Sequence, residues 1–324
     1  MRLVLLPLFL VREVWRRLGG TGQREVPLWQ DPYRGGPVAV VALYQTGRIR
    51  ADVLGLLLAL RRRGVYVIAV NTGSLAAGGV RLPVDCYVQR RNYGRDFGSY
   101  RLGTALVRGL SEEVPRLLLL NDSVFYISRG LEAFVGRLLD SPADICSATD
   151  SVEVAPHQTS FCLSFSARCQ RAAVFRRFWQ HYQPTDLRPA TVLFGEIALS
   201  RRLHAAGFTH EVLACRERLR AVVDRDPGLV QRRDAEGEAS RAAEVCLSGN
   251  LTHRVPAALI ELGVPLVKLD LLRRRNAAES DLDGLVARLP QDEALRLSDM
   301  LHSRAAQAVR APALDRLGAL CGLA

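Results

Sequence analysis

The sequence predicts an alternating α/β fold, an open and largely parallel sheet with helices on both faces. Three observations predict it. Apolar runs of strand length recur at Val38 to Tyr44, Val65 to Val70 and Arg116 to Leu120; a stretch of helical periodicity, Ala51 to Arg63, lies between the first two; and polar loops rich in Asn, Asp and Gly follow the later strands. Parallel neighbours need a crossover, and Ala51 to Arg63, stopped by Gly64, supplies it. With 324 residues, 48% hydrophobic and 24% charged, the chain can bury a large core, which excludes a peptide scaffold and a disordered polymer.

The elements follow in order. Met1 to Val11 is an apolar run too short to span a bilayer, and it passes into the arginine-rich REVWRRLGG. Arginines stand where a signal-peptide cleavage site would lie, so export is not expected. Residues 1–20 therefore read as an amphipathic helix with two placements open. One is a membrane surface, with Trp15 at headgroup level and Arg12, Arg16 and Arg17 against anionic lipid; the other is a protein face.

Residues 21–37 read as a linker punctuated by Pro and Gly, and 38–276 as the main domain. Within it a third strand, Asp85 to Gln89, leads through Arg90 to Tyr100 into a helix that runs to Leu110. The Arg116 strand runs straight into Asn121, Asp122 and Ser123. Leu131 to Leu139 predicts a helix, Asp144 to Ala148 and Thr159 to Phe165 strands, and Arg171 to Tyr182 a helix with Phe175, Phe178 and Trp179 inward. Pro184 to Pro189 predicts a loop, and Gly195 to Leu203 a helix ended by Gly207. Asp224 to Glu244 is polar enough for an exposed loop, and residues 277–324 form a helical extension broken at Pro290 and Pro312. No repeat of solenoid period occurs.

Composition narrows the function classes. Subtracting 33 acidic residues from 44 basic ones gives +11, which favours phosphates, nucleic acid or anionic lipid as partners. The surplus is arginine, Lys268 being the only lysine. Arginine forks bind phosphate bidentately, but arginine richness also arises from codon bias, and charge alone leaves both open. A nucleic-acid-binding protein is disfavoured, because Arg61 to Arg63, Arg176-Arg177, Arg232-Arg233 and Arg273 to Arg275 are spread out and no aromatic-rich binding module accompanies them. The seven cysteines are scattered, without C-x-x-C spacing, and read as reduced thiols of a cytoplasmic protein rather than a zinc site.

In an open α/β sheet the ligand crevice lies beyond the carboxyl ends of the strands. After the third strand stand Asn92, Gly94, Arg95 and Asp96, at a junction where backbone amides favour phosphate and arginine adds a clamp; the same residues also suit a simple helix cap. After the fourth stand Asn121, Asp122 and Ser123, oxygen-bearing side chains suited to a hard divalent ion or to sugar hydroxyls, or to a plain turn. Glu196 follows at what the pattern reads as a helix start, either as a general base or as a partner of the helix dipole. His157 and His253 offer proton-transfer, phosphate or metal contacts, or a structural role. A dinucleotide dehydrogenase and a Walker ATPase are disfavoured: Gln45-Thr46-Gly47-Arg48 replaces G-x-G-x-x-G, and Lys268 lies in no Gly-rich loop.

These loops together resemble a known family. Asn92-Tyr93-Gly94-Arg95-Asp96-Phe97-Gly98-Ser99-Tyr100-Arg101 is similar to the signature segment of the rhamnan synthesis protein F family of bacterial polysaccharide glycosyltransferases. Leu119 to Val124 resembles its strand-end motif, and His157-Gln158-Thr159-Ser160-Phe161 its His- and Gln-containing strand, though the usual Gln-Ser-Tyr order is not reproduced. Leu251-Thr252-His253 and Leu259 to Lys268 resemble its closing segment, so that the likeness runs from about residue 38 to 276.

The resemblance implies a GT-A-like, single Rossmann-type sheet that binds a nucleotide-diphospho-sugar. It implies a donor site of Asn92, Gly94, Arg95, Asp96, Asn121, Asp122, Ser123, His253 and Lys268, with His157 and Gln158 lining the acceptor side. Asn121-Asp122-Ser123 stands where many such enzymes carry Asp-x-Asp; one of the two aspartates is absent here, which leaves a requirement for Mg²⁺ or Mn²⁺, held by Asp122 or His253, open. Glu196 falls where the base of inverting relatives would lie. The expectation is a cytoplasmic glycosyltransferase, peripheral to the inner face of the membrane, that passes L-rhamnose from dTDP-rhamnose to a polysaccharide or lipid-linked glycan. A catalytically silent scaffold subunit of a polysaccharide synthase is the rival.

Overall fold

The structure is a computed structural model that describes residues 25–75, 81–229, 250–271 and 285–297. The sequence-predicted helix over 1–20 and most of the extension over 277–324 lie outside them, as do Cys246 and Cys321.

Strand β1 (Trp29–Gln30) precedes β2 (Val38–Leu43), α1 (Ala51–Arg62), β3 (Tyr66–Asn71), β4 (Cys86–Gln89), α2 (Arg95–Leu110) and β5 (Arg116–Asn121). The chain continues through β6 (Val124–Tyr126), α3 (Leu131–Asp140), β7 (Ile145–Ser147), β8 (Asp150–Ser151), β9 (His157–Gln158) and β10 (Cys162–Ser166). There follow α4 (Ala167–Arg171), α5 (Ala173–His181), α6 (Arg188–Thr191), a π-helical turn (Val192–Ile197), α7 (Ala198–Ala205), β11 (His210–Val212) and α8 (Arg216–Arg225). Beyond residue 250 come α9 (Leu251–Arg254), α10 (Pro256–Glu261) and β12 (Leu266–Lys268).

Eight strands form one sheet in the order β1-β4-β3-β2-β5-β10-β7-β11. Its centre is parallel, β4, β3, β2 and β5 running together, while β10 lies antiparallel between β5 and β7. The expected open sheet flanked by helices is therefore present, with a mixed rather than largely parallel far half. β1 falls inside the predicted linker, where Trp29 stacks on Tyr87 at 4.7 Å between ring centroids.

Alternation along each strand divides the core into two layers. Ala39, Val41, Leu43, Leu118 and Leu120 face α1 and α3, whereas Val38, Val40, Ala42, Leu117 and Leu119 face α2 and the aromatic side of α5. Both faces of β2 and β5 are covered, which is why these strands read as unbroken apolar runs. A third cluster joins Phe125, Val267 and Leu269 to Leu285, Leu289 and Leu297 of the described part of the extension.

Several boundaries differ from expectation for local reasons. The helix predicted over Arg171 to Tyr182 is present as α5, with its start moved to Ala173 because a separate short helix, α4, capped by Ser166 accepting from Cys169 N, ends at Arg171 and the chain turns at Ala172. The strand predicted from Thr159 begins at Cys162, since residues 160–161 make a turn first. Glu196 does not open a helix. It lies in the π turn between α6 and α7, so the helix-dipole reading fails and Glu196 needs another explanation.

α2 crosses β2 at Gly103, where a Cβ would collide with both methyl groups of Val40. Gly103→Ala should therefore destabilise the fold by about 1–3 kcal/mol through overpacking. At roughly 2–4 °C per kcal/mol for a domain of this size, thermal unfolding would read a clear drop, and an unchanged Tm would refute so close a crossing.

Candidate active site

The chain builds β2, β3 and β4 in one direction across the sheet and then returns to place β5 on the other side of β2. That reversal makes the β2/β5 boundary the switch point, where loops diverge and a crevice opens. β10 is antiparallel to β5, with Cys162 opposite Leu120, so the residues that precede β10 arrive at the same edge.

Asp122 closes the bottom of this crevice. Its Oδ2 accepts from Tyr44 N at 2.8 Å and from Gln45 Nε2, tying the loop after β5 to the loop after β2. Gln45 is held in turn: its backbone N donates to Asn71 Oδ1 at 2.9 Å, and its Oε1 accepts from Arg50 N at 2.9 Å. The Arg50 guanidinium pairs with Asp52 and donates to the carbonyls of Asp122, at 2.9 Å, and Val124, at 2.6 Å. Asn121 donates through Nδ2 to Asp96 Oδ2 at 2.7 Å and accepts from the Ser123 hydroxyl at 2.6 Å. Thus Asp96 from the first turn of α2 and Asn121 at the end of β5 meet across the switch point.

Lys268 enters from the ribbon of β12 and β6, where it lies opposite Val124. Its ammonium donates to Ser123 Oγ at 3.0 Å and sits 4.6 Å from the Phe161 ring centroid, a cation–π contact. Asp270, two residues on, accepts from His253 Nε2 at 2.7 Å and lies 3.5 Å from Arg188. Burial works against ionisation there, but His253, Lys268 and Arg188 hold Asp270 well below the ordinary carboxylate range.

Burial pushes the Asp96 carboxyl up to about 6; Arg95 and Lys268 oppose the rise while Asp122 and Glu196 add to it. Asp96 therefore lies in the fields of two other carboxylates, Asp122 and Glu196, and of two cations, Arg95 and Lys268. Arg95 stands at the edge of the crevice with an exposed side chain and φ of 52°, a left-handed conformation rare for a residue with a Cβ. The turn is braced by Asp186, which accepts from Gly94 N at 2.7 Å, and by Arg90, which donates to Tyr93 O at 2.8 Å. Asn92 is exposed on the same loop.

On the opposite wall, Glu196 Oε1 accepts from Ser160 Oγ at 3.0 Å and Oε2 lies 3.3 Å from His157 Nε2. The π turn carries Gly195 onto the Phe97 ring, where a Cβ would come to 3.0 Å, and this seating aims Glu196 inward. Leu193 and Phe194 on the same turn are 46% and 62% exposed, an apolar lip beside the carboxylate. Gln158 is turned away by strand alternation: its amide meets the Glu211 carbonyl and the His210 ring.

The structure thus gathers Arg95, Asp96, Asn121, Asp122, Ser123, Lys268, Glu196 and His157 at one edge, places His253 beside them through Asp270, and separates Gln158 from them. Gln45, Arg50, Arg90, Ser160, Asp186 and Asp270 were missed by sequence reasoning. Gln45, Arg90 and Ser160 lie within segments named in the sequence; Arg50, Asp186 and Asp270 become visible only through partners remote in the chain.

Among the described residues no three His, Cys, Asp or Glu side chains are grouped to hold a metal, and His253 commits Nε2 to Asp270, whereas both hydrogen bonds to Asp122 fall on Oδ2, which leaves Oδ1 as the oxygen of that carboxylate able to meet a divalent cation. No helix among the described residues is long and apolar enough to cross a membrane. The five described cysteines are all free, and four are buried.

No family model matches the chain. Over 129 residues, 37% of its length, it is 30% identical to Virulence protein VirA of Vibrio anguillarum, strain ATCC 68554 / 775, and that match covers 39% of the relative's own length. Among solved structures it is similar to the mannosyltransferase PcManGT from Pyrobaculum calidifontis in complex with GDP-Man and Mn2+, with a TM-score of 0.30 and 14% identity over 90% of this chain and 89% of that one. Glycosyltransferase GlyE of Streptococcus pneumoniae TIGR4 gives a TM-score of 0.27 and 10% identity over 59% and 48%. Scores this low carry no argument about activity.

The raised Asp96 fixes the sign of a pH effect. Its folded value, about 6, exceeds the ordinary 3.8, so the unfolded chain ionises first and Asp96 lowers stability progressively as pH rises from about 4 to 6. Asp96→Asn removes that loss and keeps an acceptor for Asn121. Its stability relative to the parent should rise across this interval by on the order of 2 kcal/mol, measured by urea unfolding; a difference that does not change with pH contradicts the burial of the Asp96 charge.

Proposed function

We propose that the chain is an inverting glycosyltransferase that takes its sugar from a nucleotide-diphospho-sugar. The observation that carries this reading is the opposition, across one switch-point crevice, of a carboxylate aimed inward from Glu196 and the cations Lys268 and Arg95. Transfer with inversion needs that pair of features: a base for the acceptor hydroxyl on one side of the anomeric carbon and positive charge for the departing diphosphate on the other.

The roles follow from position. Lys268 and Arg95 hold the diphosphate, with the amides of the Gly94 turn adding donors. Ser123, Asn121 and Asp122 shape the floor on which donor phosphates and sugar rest. The Glu196 carboxylate takes the acceptor O–H proton as the acceptor oxygen bonds to the anomeric carbon, the bond from that carbon to the phosphate oxygen breaks, and its electron pair leaves with the diphosphate. Ser160 and His157 keep the carboxylate oriented, so the step pays little reorganisation. No step is routed through a divalent cation; were one bound, Asp122 would hold it and it would add positive charge for the diphosphate to that of Lys268 and Arg95.

The rhamnan synthesis protein F resemblance supports L-rhamnose from dTDP-rhamnose as donor and a cell-surface glycan as acceptor. Leu193 and Phe194 beside Glu196 support an acceptor with an apolar portion, such as a lipid-linked glycan at the cytoplasmic membrane face. The arginine surplus is less available to nucleic acid than composition implies, since Arg50, Arg90 and Arg116 are committed inside the fold.

Glu196→Gln should reduce transfer by about 100-fold or more while leaving donor affinity within roughly threefold, the pattern of a group used in the transition state. Turnover assays with isothermal titration of the donor decide this, and near-normal turnover removes Glu196 as base. Lys268→Met should instead weaken donor binding roughly tenfold or more, the loss of a charge-assisted contact to phosphate; unchanged affinity at low salt would displace Lys268 from the diphosphate.

A further inference from the structure

His157 is buried, yet its ring is committed at both nitrogens. Nδ1 lies 2.7 Å from the Ala155 carbonyl oxygen, and a carbonyl can only accept, so Nδ1 carries a proton. Nε2 faces Glu196 Oε2 at 3.3 Å. In a neutral ring with Nδ1 protonated, Nε2 presents a lone pair, and a lone pair opposite a carboxylate is repulsive. The contact becomes attractive when one more proton is present, either on Nε2 as an imidazolium beside a carboxylate or on Glu196 as a carboxylic acid beside a neutral ring. Ala155 therefore dictates that this pair holds a proton in common.

We propose that His157 is the proton-holding partner of Glu196, so that the two bind and release one proton as a unit. This rests on the reading of Glu196 as the base. With the unit empty, the Glu196 carboxylate is armed by the lone pair it faces. It takes the proton from the acceptor hydroxyl as the new glycosidic bond forms, the bond to diphosphate breaks with its electrons leaving on phosphate, and the proton passes to Nε2. The resulting imidazolium and carboxylate attract one another, which makes proton removal from the acceptor effectively one-way. After the product leaves, the proton returns through Glu196 to solvent, since Nδ1 is closed by Ala155.

The surroundings agree with this assignment. Across the β8/β9 hairpin Asp150 also favours charge on His157, and Asp150 itself lies 3.8 Å from Arg216 of α8. Glu196 is faced by Asp96, and by Tyr100 and Tyr182, whose phenols burial keeps protonated. Burial opposes charge on His157, but Glu196, the Ala155 carbonyl and Asp150 outweigh it and lift the ring above its ordinary value.

The test has two arms. Imidazole ¹⁵N shifts of His157, assigned with His157→Asn, are followed against pH in the parent and in Glu196→Gln, the other histidines reporting the fold. The parent should protonate above the ordinary imidazole midpoint of about 6.5, and Glu196→Gln should lower that midpoint by about one unit or more. If that variant fails to fold, Glu196→Asp, whose carboxylate retreats from Nε2, should give a smaller shift in the same direction. An unmoved His157 midpoint overturns the shared proton. In the second arm, the acidic limb of kcat/KM for the parent should coincide with the His157 midpoint and move to lower pH in His157→Gln; a limb unmoved by that substitution also overturns it. Absence of turnover with every nucleotide sugar defeats the glycosyltransferase reading instead, while the imidazole titration still decides the pair.

Discussion

The Asp122 carboxylate ties the two directions of the sheet together. β2 and β5 are adjacent parallel strands whose carboxyl ends would otherwise carry independent loops, and Asp122 accepts from both Tyr44 N and Gln45 Nε2 across them. Around it, Arg50 binds the carbonyls of Asp122 and Val124, and Asn71 fixes the main chain of Gln45. Such backbone groups would be costly to leave unpaired at a half-buried edge. Paired, they make a rigid floor, and the candidate residues on its side of the crevice are positioned from it: Asn121 reaches Asp96, Ser123 reaches Lys268, and Tyr126 donates to the Asn121 carbonyl.

The opposite wall is built on another principle. Glu196 is carried by a π turn, an irregularity often found where a helix serves a function. One extra residue in the turn lets Gly195 sit on Phe97 while Leu193 and Phe194 remain exposed. The floor is a network of satisfied polar groups that resists change, and the wall carries a carboxylate whose partners, Ser160 and His157, respond to its charge. On the proposed reading, this division, with Lys268 and Arg95 beside the stiff floor and Glu196 on the wall, separates the holding of a leaving group from the handling of a proton.

Much of this was legible in the sequence, and what was hidden shares a cause. The parallel centre announced itself because strands buried on both faces read as continuous apolar runs, and the Asn121 to Ser123 loop stood out because it directly follows such a run, the Asn92 to Asp96 segment because it joins a strand to a helix. The helix carrying Glu196 was placed too late, since a π turn has no sequence period of its own and α6 begins within an apparent proline loop. Strand β12 was missed because a three-residue strand is shorter than any periodicity can register. Asp186 and Asp270 gained meaning only when folding brought them to Gly94 and His253. Gln158 shows the converse: it shared a motif with His157, and the two-residue period of a strand sent it to the other face.

The central claim is that this switch-point crevice binds a nucleoside diphosphate through Lys268 and Arg95. Thermal unfolding in the presence of a panel of nucleotide sugars, each with and without Mn²⁺, tests it most directly, because a ligand selective for the folded chain raises the apparent Tm. The account predicts that at least one nucleotide sugar stabilises the parent without added metal and that Lys268→Met abolishes the shift. No stabilisation by any of them, or a shift that Lys268→Met leaves intact, would contradict it.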